Sequence, residues 1–145
     1  MKAYDLYPRF LVSVDCVIFG YQCGKLKVLI HQRPYEPCKG KLSLIGGFVQ
    51  KDESVDSAAK RILTYFTGLE NIYMQQLAAY GDVERDPGER VISIVYYALA
   101  NTEKALTTLS DINEAEWIDV DQLPKLCFDH NDMVEKARQI IGESI

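Results

Sequence analysis

Apolar residues alternate along the start of the chain: Phe10, Val12, Val14, Cys16 and Ile18 fall on every second position, the period of a strand. A turn at Gln22-Cys23-Gly24-Lys25 leads into a second run, Leu26, Val28 and Ile30 alternating with Lys27, Leu29 and His31, so the two form a predicted hairpin. Two prolines and a glycine make residues 33–40 a loop, and a short strand follows at 42–45. The period then changes. Val55, Ala58, Ala59, Ile62, Leu63 and Phe66 recur at helical spacing, which predicts a helix over 54–67 with one apolar face. Asp52 and Ser54 offer capping oxygens at its start, and Gly68 supplies a left-handed stop. Strands are expected at 73–80, 91–100 and 115–120. Met133, Val134, Ala137, Ile140 and Ile141 predict a terminal helix capped by Asp129. The pattern is that of an α+β chain.

Composition narrows the class. At 145 residues and 48% hydrophobic content, one domain spanning 1–145 with one core is expected. A formal charge of −5 and an isoelectric point near 5.0 provide no broad basic field for a phosphate backbone, so DNA contact must come from elsewhere. Cys16, Cys23, Cys38 and Cys127 contain no Cys-x-x-Cys pair and are expected to be reduced thiols rather than a zinc site or a disulfide framework. No leader-like N-terminus and no membrane-length apolar run are present, which predicts a cytoplasmic protein.

The candidate chemistry lies between Gly46 and Leu69. Gly47, Glu53, Arg61, Leu63, Gly68 and Leu69 match in register the Nudix box, which reads Gly, five residues, Glu, seven residues, Arg-Glu, apolar, any, Glu-Glu, any, Gly, apolar. The chain therefore resembles the Nudix family. Three anchors differ: the glutamates that hold magnesium or manganese in that family are replaced by Ile62, Tyr65 and Phe66. Mg²⁺ needs hard oxygen ligands, and pyrophosphate cleavage uses it to neutralise charge and generate a nucleophile. Apolar side chains do neither. No catalytic residue, metal ligand or cofactor is therefore assigned. The alternative is a hydrolase of ADP-ribose-like nucleoside diphosphate derivatives, with a displaced magnesium site built from Asp52, Glu53, Asp56 or loop acids; helix-start acids are also explained by the helix dipole.

The stretch from Gly81 through Arg85-Asp86-Pro87 to Tyr97, and Phe128-Asp129-His130, are similar to Nudix proteins that handle ADP-ribose and to Nudix-related bacterial transcriptional regulators. That resemblance covers roughly 10–141. It implies the Nudix fold, an α/β/α sandwich in which a central mixed sheet is flanked by the box helix and a C-terminal helix. It also implies an inactive effector-binding domain, homodimeric, sensing ADP-ribose or a pentose, with a winged-helix DNA-binding domain expected beyond Ile145. The fold's cleft makes Arg33, Gly46, Gly47, Phe48, Glu53 and Arg61 first candidates for ligand contact, with Arg85 and Arg90 second. Arginine forks suit phosphate oxygens and glycines allow close approach. Tyr65 adds a ring suited to a sugar face. Each has a structural alternative: Arg61 can pair with Glu53, and Arg85 and Arg90 can pair with Glu84, Asp86 or Glu89. His31 and His130 are assigned no chemistry, His130 being placed at the start of the last helix.

Overall fold

A computed structural model describes residues 1–100 and 115–144. Six strands form one sheet: β1 (Leu11–Gln22), β2 (Lys25–Gln32), β3 (Leu42–Phe48), β4 (Gln75–Tyr80), β5 (Val91–Leu99) and β6 (Ala115–Asp119). Helix α1 (Val55–Thr67) lies against one face and α2 (His130–Ser144) against the other.

The strand order is β4-β5-β1-β3-β2-β6. Strand β1 is the axis of the sheet. It runs parallel to β5 from Leu11↔Val91 to Phe19↔Leu99, pairs antiparallel with β3 through its first half and closes the hairpin with β2 through its last. The predicted elements all appear, but β1 is buried on both sides rather than one. Val14, Cys16 and Ile18 join the α1 core, while Val17 and Phe19 join the α2 core. Helices covering both faces of a sheet leave no face for solvent.

Helix α1 forms as its pattern requires. Ser54 caps it through the Ser57 N–H, and Gly68 ends it at φ 71° with its N–H on the Thr64 carbonyl. Ala58, Ala59, Ile62, Leu63 and Phe66 are buried on the sheet side. In α2, Met133, Val134, Ala137 and Ile141 fill the opposite core.

Two expectations are corrected. Cys38 and Cys127 are joined by a disulfide, with Cα atoms 6.2 Å apart across 89 residues of sequence, so only Cys16 and Cys23 are free thiols; long-range proximity, not local spacing, made the pair. Asp129 precedes α2, but its carboxylate is engaged by Arg85 and its backbone carbonyl receives the Asp132 and Met133 N–H groups.

Candidate functional site

A cavity of about 1140 Å³ opens between the C-terminal part of β3, α1, the loop 33–40 and the segment leading into α2. Of the residues singled out from sequence, Arg33, Gly46, Gly47, Phe48, Arg61, Tyr65 and Arg85 line it; Glu53 and Arg90 do not.

Arg61 and Glu53 brace the cavity wall. The guanidinium donates to both Glu53 oxygens, at 3.0 and 2.7 Å, and to the Phe48 carbonyl at 2.9 Å, tying α1 to the end of β3. The Gln50 N–H also donates to Glu53. These contacts, the Arg61 hydrogen bond foremost, hold the Glu53 carboxyl below its ordinary pKa. Arg90 lies over the Phe10 ring and donates to the Gly81 and Asp82 carbonyls; among the described residues it forms no ion pair with the loop acids.

Arg33 and Arg85 converge on Phe128 instead. Their guanidinium carbons lie 5.0 and 5.8 Å from its ring centroid, at cation–π distance. Arg33 also donates to the Pro37 carbonyl, and Arg85 makes a two-pronged ion pair with Asp129 at 3.0 and 2.8 Å. Arg85 therefore reaches past its local acids to the start of α2. Phe128 holds φ at 55°, a left-handed conformation costly for an aromatic residue and concentrated at functional sites.

The wall that would carry metal ligands is apolar. Ile62 and Phe66 are buried at 2% and 7% exposure, Ile62 packing toward Gly47, where a Cβ would touch it. Tyr65 stays 63% exposed at the mouth and meets Phe66 edge-on. The residues do not fit a box magnesium. Among the described residues no group of three or more His, Cys, Asp or Glu side chains lies together as a cation site. Two of the three helix-start acids of a displaced site are otherwise engaged, Glu53 with Arg61 and Asp56 with the Tyr96 hydroxyl.

Several lining residues were not candidates from sequence, among them Asp15, His31, Lys39, Phe128 and His130. Asp15 left a weak signal, a charge between the apolar residues of a predicted strand. Burial pushes its pKa up, but His130, Ser93 and Arg85 more than offset this and hold the carboxyl below its ordinary value.

A mixed six-stranded sheet between two helices, with this cleft at the end of β3, defines the class, and the NUDIX domain family model matches residues 9–139. The chain belongs to that family. Curated relatives include an ADPR-responsive transcriptional repressor, NtrR, of Acinetobacter baylyi, 34% identical over 90% of this chain and 54% of the repressor. An ADP-ribose pyrophosphatase of Methanocaldococcus jannaschii is 37% identical over 93% of this chain and 77% of that enzyme. The chain thus spans about half the length of the repressor. Among solved structures, Shewanella oneidensis NrtR bound to a 27-mer DNA superposes with a TM-score of 0.84 at 31% identity, covering 91% of this chain and 62% of that one. The NUDIX domain of the same protein in complex with ADP ribose superposes at 0.81 and 30% identity, covering 97% and 94%. Among the described residues no helix is long and apolar enough to cross a membrane.

Proposed function

We propose that this chain is the effector-binding domain of a transcriptional regulator, and that it holds ADP-ribose without hydrolysing it. The observation that carries this reading is the apolar wall: Ile62, Tyr65 and Phe66 occupy the box's metal-binding positions, while Arg33, Lys39, Arg61 and Arg85 still line the same cavity. Such a site keeps cations for a diphosphate and lacks the means to activate water. The cavity exceeds the roughly 300–1,000 Å³ of ordinary small-molecule clefts, which favours a nucleotide joined to a sugar over a free pentose. Phe48, Tyr65 and Tyr35 present exposed rings at its margin for a base or sugar face.

Support comes also from the S. oneidensis NUDIX domain solved with ADP ribose and from the A. baylyi repressor. In this reading the regulator is a homodimer, and DNA is contacted by a further domain, since this acidic chain offers no basic field. The M. jannaschii pyrophosphatase favours the second reading, hydrolysis.

Calorimetry and product analysis with ADP-ribose, with and without Mg²⁺, separate the two. Metal-independent binding without AMP or ribose 5-phosphate release is expected; at a hundredfold excess over Kd it adds about 2.7 kcal/mol to stability. Magnesium-dependent turnover overturns the sensor reading.

A further inference from the structure

The floor of the cavity carries an anion that the phosphate-binding arginines leave without a partner in the proposed ligand. Asp15 projects from the middle of β1 at 7% exposure and lines the cavity. One carboxylate oxygen, Oδ2, accepts the Ser93 hydroxyl at 2.5 Å; the other, Oδ1, lies 3.6 Å from Nε2 of His130. His130 Nδ1 accepts the Leu44 backbone N–H at 3.1 Å, which leaves Nε2 as the protonated nitrogen facing Asp15.

Three elements thus converge on one carboxylate. Across the strand pair, Gly46 leaves room for it: a Cβ there would collide with Asp15 Oδ1 and crowd the Val14 carbonyl. A buried charge is costly unless it is hydrogen-bonded, and here it is held by Ser93 and faced by His130 while still lining the cavity. Ser93 and His130 occupy one direction on each oxygen. A carboxylate oxygen accepts in two directions, so one acceptor position remains on each.

We propose that Asp15, positioned by Ser93 and His130, forms a subsite for the vicinal hydroxyls of a ribose. Two adjacent acceptors on a rigid anion complement two adjacent O–H donors. Phosphate is repelled from this floor and goes to Arg33 and Lys39 instead, Arg85 being paired with Asp129. An ammonium donor is disfavoured because the same lining carries Arg85. A neutral diol satisfies both conditions.

The inference rests on the ribose-phosphate reading above and assigns part of that ligand to a named carboxylate. Titration calorimetry on the full chain compares ADP-ribose with analogues lacking the 2-hydroxyl on one ribose or the other. One analogue should bind about 10–100-fold more weakly, the range of hydrogen bonds to a charged group, and the other about as well as the parent. Asp15→Asn should bind the parent at the level of the weak analogue and no longer tell them apart, a loss that structural loosening does not produce. Should the variant fail to fold, Ser93→Ala, which removes one group that positions the carboxylate, should narrow the gap between the parent and the weak analogue, and an unchanged gap overturns the role of Asp15. Equal affinity for all three ligands overturns the diol subsite while leaving ADP-ribose binding intact. No binding of any of them overturns both readings.

Discussion

His31 sits at 8% exposure with its ring edge-on to Phe66, and burial, aided by the neighbouring Arg33 and His130, lowers its pKa to about 4 despite the opposing pull of Asp15. Between pH 6.5 and 4 the unfolded chain takes up a proton that the native ring refuses. Stability therefore falls as pH drops through that window and is flat above it, by roughly 2–3 kcal/mol in all. Urea midpoints measured across the window should show this slope in the wild type and a shallower one in His31→Gln; equal slopes would remove His31 as the cause. Residues of this kind were hidden in the sequence because their roles are set by distant partners. Ser93 lies 78 positions from Asp15, and Leu44 lies 86 from His130. Ile62, Tyr65 and Phe66 were legible because identity at a fixed spacing sufficed.

Elements were legible wherever one short-range period governs them. The box helix, its Ser54 cap and its Gly68 stop follow from local pattern, and Ser54→Ala should cost about 1 kcal/mol by chemical denaturation. Sequence was less informative where two elements compete for one side chain. Asp129 has the position of a cap, but Arg85 offers two charge-assisted hydrogen bonds, and the fold brings them together. Gly46 and Gly47 looked alike as points of ligand approach, yet the fold separates them. Gly47 faces Ile62 of α1, whereas Gly46 faces the Asp15 carboxylate. Gly46→Ala should therefore cost about 1–3 kcal/mol through forced displacement and also weaken ligand binding. Gly47→Ala meets ordinary contact distances and should be much milder. Similar losses for both would mean that the Asp15 side of the strand tolerates displacement.

At the scale of the molecule, one covalent tie that spacing did not reveal joins two segments at the cavity. Cys38 lies in the loop that carries Arg33, and Cys127 precedes Phe128, so the bond fastens the loop on one side of the cavity to the segment that opens α2. Closing an 89-residue separation restricts the unfolded chain strongly, and such bonds commonly contribute about 2–4 kcal/mol. Reduction should lower the unfolding free energy by that amount, read from urea curves through their midpoint and slope, and a Cys38→Ser, Cys127→Ser double variant should match the reduced wild type and ignore reductant. The remaining thiols do not confuse the measurement. Cys16 is buried, its thiol pKa pushed well above the ordinary value by burial first and then by Asp15, and exposed Cys23 can be replaced by serine as a control. Because Arg33 and Phe128 stand on opposite sides of the tie, the reduced protein should also hold ADP-ribose more weakly, mainly through faster dissociation. Unchanged stability on reduction would mean that packing of α2 against the sheet already fixes the two segments.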